Sequence, residues 1–223
     1  MENFIIKAEE SRLITREGKM NLCLQYDTEA FYHSTYQGGG KWKIDGTIEN
    51  LICTLKNDRT PYTKTVLDLA VGKLSEILKE DLPKVLCETG LKTMRVCVVP
   101  RSKHEEYYAE NQKLFRQTIQ NSINNLSGFE DGTHDIIRKI DTRTTHSNIS
   151  GNGGNGDMPY CGITRETCDI SSHVNGKNIL LIDDLYTKTV GIDEDAIQAL
   201  YDNGACKVFF YSIGKTVLRF RFQ

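Results

Sequence analysis

"NILLIDDLYTKTVGID", residues 178–193, decides how the rest of the chain is read. Ile179, Leu180, Leu181 and Ile182 form an unbroken aliphatic run, too short for a buried helix and suited to a buried strand. Two acids, Asp183 and Asp184, follow at once. A turn of threonines, a lysine and a glycine comes next, and helical spacing resumes with Ile192, Ala196, Ile197, Leu200 and Tyr201. Asn203 and Gly204 stop that helix, and "KVFFYSI" (207–213) reads as another strand.

Upstream the same alternation recurs. "MRVCVVP" (94–100) predicts a buried strand halted by Pro100, followed by Arg101, Ser102 and Lys103, and residues 105–126 predict one helix with Leu114, Phe115, Ile119 and Ile123 inward. Ile48, Leu51, Ile52 and Leu55 mark an earlier helix. Val66, Leu67, Ala70, Val71, Leu74, Ile77 and Leu78 stripe a second one. "HDIIRKI" (134–140) predicts a strand, and beyond it lies a long polar segment containing "GNGGNG" (151–156). The first 45 residues read as strand-rich, with a hairpin turning at Glu17, Gly18 and Lys19, then a loop at "YQGGGKWKIDG" that leads into a further strand. Strands alternating with helices predict an α/β fold, a parallel sheet with helices on both faces. The expected organisation is a small strand-rich region over 1–45 and an α/β core over 46–223, with a flexible loop at 144–158.

Composition narrows the function classes. The chain has 223 residues, and its 28 basic against 30 acidic residues leave a net charge of -2, so no global attraction to nucleic acid or to a membrane is built in. The seven cysteines are scattered without a C-x-x-C pair, which reads as reduced thiols of a cytoplasmic protein and not as a disulfide framework or a protein metal site. No apolar stretch is long enough to span a bilayer.

Parallel sheets bind ligands outside the carboxyl ends of their strands, which puts residues 101–103 and 183–191 on one rim. The hydroxyls of Thr187 and Thr189, with Lys188, Val190, Gly191 and the free amides opening the next helix, form a concavity of donors suited to a phosphate. Carboxylates accept hydrogen bonds from vicinal hydroxyls. Acids first and phosphate cradle second is the order a ribose 5-phosphate requires. The plainer alternative is that Asp183 and Asp184 cap a helix or sit in a solvated turn.

A hydrophobic strand, two acids, a hydrophobic or aromatic pair, a Thr-rich turn and a helix, followed by "ALYDNGACKVFFYSIGKT", resembles the type I phosphoribosyltransferases over residues 178–216. "TIENLICTLKND" and "VCVVPRSKHEEYYAENQKLF" extend the likeness towards the ComF-like branch, which is associated with DNA uptake. The resemblance implies that Asp183 and Asp184 contact ribose hydroxyls, that residues 187–191 hold the 5-phosphate, and that Arg101, Ser102 and Lys103 meet the pyrophosphate. It implies phosphoribosyl pyrophosphate or a related ribose phosphate as ligand, with magnesium carried by that ligand. If the protein is an enzyme, ribose 5-phosphate passes to a nitrogen nucleophile and pyrophosphate leaves. It also implies a mobile loop at 144–158 that closes over the sugar, the alternative being a surface loop with no task. Family members commonly read Thr-Thr-Gly-(Ala or Ser)-Thr where this chain has Thr187, Lys188, Thr189, Val190 and Gly191, and the paired cysteines of the ComF zinc module are absent. Those departures keep open a non-catalytic sensor or interaction module with a protein partner in a DNA-processing or phage-defence assembly, or a homo-oligomer.

Overall fold

The computed structural model describes residues 1–14, 20–22, 24–58, 61–142, 162–164, 166–188 and 190–217. In chain order the strands and α-helices are β1 (Glu2–Ile6), β2 (Arg12–Ile14), β3 (Met20–Leu22), β4 (Thr28–Tyr36), α1 (Ile48–Lys56), α2 (Lys64–Thr89), β5 (Met94–Val98), α3 (Leu114–Ile123), β6 (Phe129–Asp131), β7 (Ile136–Arg138), β8 (Cys168–Ile170), β9 (Asn178–Tyr186), α4 (Ile192–Asp202) and β10 (Lys207–Thr216).

Six strands form one mixed sheet in the order β1-β4-β10-β9-β5-β6, all pairs parallel except β1 with β4. The fold is therefore α/β. Leu180 and Ile182 of β9 face one apolar cluster with Leu51, Leu74 and Ile119 from α1, α2 and α3. Ile179 and Leu181 face the opposite cluster with Ala196, Ile197 and Leu200 of α4. The unbroken aliphatic run follows from that geometry, because successive side chains of a strand point to opposite faces and here both faces are covered by helices. The strand-rich first 45 residues supply β1 and β4 to this sheet, with β4 lying parallel to β10. β2 and β3 pair antiparallel, as the expected hairpin requires, while its turn lies outside the described residues.

Several expectations are revised. The predicted helix over 105–126 is a helix only from Leu114; before it the chain makes two single 3-10 turns, Glu105–Tyr107 and Glu110–Gln112. The reason is local: the Tyr108 hydroxyl accepts a hydrogen bond from the Lys103 amide at 3.2 Å, and its ring stacks under the Arg101 guanidinium at 4.0 Å. This segment folds around residues 101–103 instead of propagating a helix. The further strand expected after "YQGGG" is a 3-10 turn, Gly39–Lys43, because Gly38 and Gly39 both take positive φ and swing the chain aside. β7 pairs with β8 in a separate ribbon outside the central sheet. Val66, expected on the buried stripe of α2, is 39% exposed.

The topology places the site. β5 and β9 are neighbours, yet the chain leaves β5 through α3 to β6 on one side and leaves β9 through α4 to β10 on the other. The two exits diverge to opposite faces of the sheet. A crevice opens at the carboxyl ends of such a strand pair, which is where doubly wound sheets take ligands.

Candidate functional site

At that divergence lies a cleft of about 710 Å³, lined by residues 99–103 after β5, by Asp183, Asp184, Leu185 and Thr187 on β9 and beyond, and by Asp193 of α4. Both rims singled out in the sequence meet there.

The β5 side is basic. Arg101 caps the carboxyl end of α1, donating from Nη1 to the Lys56 carbonyl at 3.2 Å and to the Gln112 carbonyl at 3.0 Å, while Nη2 pairs with Asp58. Those bonds hold the guanidinium on the Tyr108 ring and fix the loop. Ser102 contributes through its backbone, its carbonyl accepting from the Thr142 amide at 2.7 Å. Lys103 lines the cleft, and its ammonium has no carboxylate partner among the described residues. Behind them stands Arg138, only 2% exposed, its Nε donating to the Arg101 carbonyl at 3.1 Å and its Nη1 to the Gly162 carbonyl. Burial pushes its pKa down, but a guanidinium stays charged in proteins. No carboxylate lies within ion-pair reach of Arg138 among the described residues; carbonyl oxygens hold its guanidinium, and the Asp141 charge acts on it from farther off. A buried cation without a counter-ion in contact at a cleft wall favours an anion there.

The β9 side is acidic, and its two carboxylates do not act as one pair. β9 runs to Tyr186, so both acids belong to the strand and point to opposite faces. Asp184 turns towards α1 and pairs with Lys56 at 3.0 Å. Burial works against the Lys56 charge, but Asp184 and Asp183 outweigh it and hold its pKa above the usual value. Asp183 accepts from the Asp184 amide at 2.8 Å and turns towards α4, where it is hydrogen-bonded to Asp193. Burial first, then the Asp184 charge, push Asp183 up to about 7. Burial and the Asp183 charge push Asp193 well above the carboxylate range.

The loop at 187–191 is a tight turn, closed by the Val190 amide on the Thr187 carbonyl at 3.0 Å. Gly191 ends it at φ +75°, a left-handed conformation glycine adopts without strain. The Thr187 hydroxyl bonds that of Thr216 at 2.8 Å. Lys188 does not face the cleft: its ammonium pairs with Glu10 at 2.5 Å and lines a separate cavity of about 450 Å³ beside β1. Thr189 lies outside the described residues, as do residues 144–158 with the expected closing loop. On either side of that segment, the Thr142 amide is tied to Ser102, and the Gly162 amide donates to Asp195 Oδ2 at 2.6 Å.

Lys56 and Asp193 were not singled out from the sequence. Lys56 ends an amphipathic helix and reads as an ordinary solvated base. Asp193, Glu194 and Asp195 read as acids favoured at a helix start, yet all three are buried. Only the fold brings them against β9. Among the described residues no group of His, Cys, Asp and Glu side chains is arranged to hold a metal, no cysteine forms a disulfide, and no helix is long and apolar enough to cross a membrane. No protein-family model matches the chain, and no curated protein matches it significantly.

Proposed function

We propose that this cleft binds a ribose phosphate, phosphoribosyl pyrophosphate or a close relative, in the manner of the type I phosphoribosyltransferases. The observation that carries the reading is the opposition of charge across one crevice: Arg138 and Lys103, neither in an ion pair with a carboxylate among the described residues, on the β5 wall, and carboxyl groups on the β9 wall. A pyrophosphate is met by the basic wall, and sugar hydroxyls donate to the acids. Magnesium carried by such a ligand would neutralise phosphate charge, and the described residues offer no metal-holding group of His, Cys, Asp and Glu of their own. The protein's part is to orient the sugar between the walls and to keep Arg101 clamped, so that the anion meets a preformed loop.

The decisive experiment is calorimetric titration with phosphoribosyl pyrophosphate plus magnesium, with pyrophosphate as a second ligand. Saturable binding of both, weakened about tenfold by Lys103→Ala, is expected, since one hydrogen bond to a charged group contributes about 1.5 to 3 kcal/mol. Absence of binding by the unaltered chain overturns the reading.

A second reading keeps the cleft and drops the turnover. It is favoured by residues 187–191, whose lysine is committed to Glu10 outside the cleft and whose following helix opens with three buried acids. Three carboxylates at a helix start oppose a 5-phosphate on the same amides. Weak hold on that phosphate leaves C1 poorly placed, and a misplacement of about 1 Å can cost on the order of a hundredfold in rate. Under this reading the protein senses a sugar phosphate and passes the signal to a protein partner, in a DNA-processing or phage-defence assembly. Assay of pyrophosphate release with a panel of bases separates the two: turnover with any common base removes the second reading.

A further inference from the structure

A second cavity, about 450 Å³ in volume, lies between β1 and the carboxyl ends of β4, β9 and β10. Phe4, Tyr32 and Tyr186 give it an aromatic wall, the Phe4 ring standing 5.7 Å from that of Tyr32 and 5.1 Å from that of Tyr186. Both phenol hydroxyls are already bonded, Tyr32 to Glu2 and Tyr186 to Glu194, so ring surface is what these residues offer.

Three lysines border that wall, and they are not equivalent. Lys7 is paired with Asp27 at 2.7 Å and Lys188 with Glu10 at 2.5 Å. Lys215 has no carboxylate partner among the described residues; its ammonium lies 4.4 Å from the centre of the Phe4 ring and 4.9 Å from that of Tyr32. Rings hold an ammonium in place but cancel none of its charge. Two of the neighbouring hydroxyls are spent, Ser11 on the Lys7 carbonyl and Thr216 on Thr187.

We propose that this cavity is a second binding site, for an anion carried on a flat ring, of the class of a nucleoside monophosphate. The phosphate meets Lys215, and the base lies against the aromatic wall. Neither half suffices: a bare phosphate leaves the rings unused, and a neutral ring leaves the Lys215 charge unmet. The volume falls in the range of about 300 to 1,000 Å³ that small-molecule sites occupy. Glu10, on the same wall, holds Lys188 and repels the phosphate. The site is independent of the ribose-phosphate reading, since no residue that lines this cavity lines the cleft.

The test is titration of the full chain with adenosine and uridine monophosphates, with adenosine and with ribose 5-phosphate, each in saturating pyrophosphate and magnesium so that the cleft is occupied. At least one nucleotide is expected to bind about tenfold tighter than either fragment, the worth of one hydrogen bond to a charged group. Lys215→Met keeps an apolar chain over Phe4 and should weaken the nucleotide about tenfold. Glu10→Gln removes the competing carboxylate and should tighten it about threefold, the scale of a half-exposed charge. Pyrophosphate affinity should stay the same in both variants. Absence of nucleotide binding, a fragment that binds as tightly as the whole, or an affinity indifferent to Lys215→Met overturns the proposal. So does a nucleotide displaced by pyrophosphate, which would belong to the cleft. Should Lys215→Met not fold, Glu10→Gln decides, because unchanged or weaker binding there is the wrong sign. Failure of pyrophosphate alone to bind overturns the ribose-phosphate reading and leaves this one standing.

Discussion

Two loops of this molecule look alike on paper and sit in opposite fields. Residues 101–103 follow β5 and residues 187–191 follow β9; each leaves a buried strand, carries a lysine and borders the same cleft. The first is backed by Arg138, buried and in no ion pair with a carboxylate among the described residues, and its Lys103 has none there either. The second is backed by Asp193, Glu194 and Asp195, and its lysine is bonded to Glu10 outside the cleft. An anion therefore belongs to the β5 loop. The lesson is that a donor-rich loop becomes an anion site only through the charges packed behind it, which lie elsewhere in the sequence.

The largest expected effect comes from removing the backing of the first loop. Arg138→Met takes the donor from the Arg101 carbonyl and one of two donors from the Gly162 carbonyl, which keeps the Thr167 hydroxyl, and a buried group left unpaired costs about 1 to 3 kcal/mol. Destabilisation of about 2 to 3 kcal/mol in urea unfolding is expected, with loss of pyrophosphate binding; a variant that keeps both stability and binding breaks the contrast between the loops.

Next in size is the backing of the second loop, read through pH. Asp183 is raised to about 7 in the folded protein from about 3.9 when unfolded, so between those values the folded state holds more protons than the unfolded one. Stability contributed by the pair therefore falls as pH rises from about 4 to about 7. Asp193→Asn removes one of the two charges and should be more stable than the unaltered protein above pH 7 by about 2 kcal/mol, a figure reduced for the pair's access to the cleft. Parallel stability profiles for the two proteins would show that the carboxyls do not interact.

Smaller still is Gly191→Ala, which forces a side chain into φ +75° and should cost about 1 kcal/mol by thermal unfolding. The smallest is Lys188→Ala. Its pair with Glu10 is half exposed, and such pairs contribute about 0 to 1 kcal/mol. Ligand affinity should not change even at low salt; a clear loss there would place the lysine in the cleft after all and erase the difference between the loops.

How much was legible follows from how far each signal reaches along the chain. β5, β9, β10, α1, α2 and α4 were read from runs and stripes of apolar residues, because burial on one or both faces leaves a local period. The helix expected from residue 105 was not, since Tyr108 folds back on Arg101 and Lys103 and no periodicity encodes that contact. The end of β9 was also misplaced. Asp183 and Asp184 look like the start of a loop, yet they remain in the strand because β9 stays paired with β10 as far as Tyr186, which turns the two acids towards Asp193 and Lys56 on opposite faces of the sheet.

The sequence by itself determined an α/β chain with an acid pair and a basic loop at strand ends, because hydrophobic periodicity and turn chemistry are local properties. Tertiary structure alone decided that these two features share one cleft, that the acids split between Lys56 and Asp193, and that Arg138 stands behind one loop while three acids stand behind the other. The physical reason is that electrostatic neighbourhood depends on distance through space, and a doubly wound sheet brings together residues that are far apart along the chain.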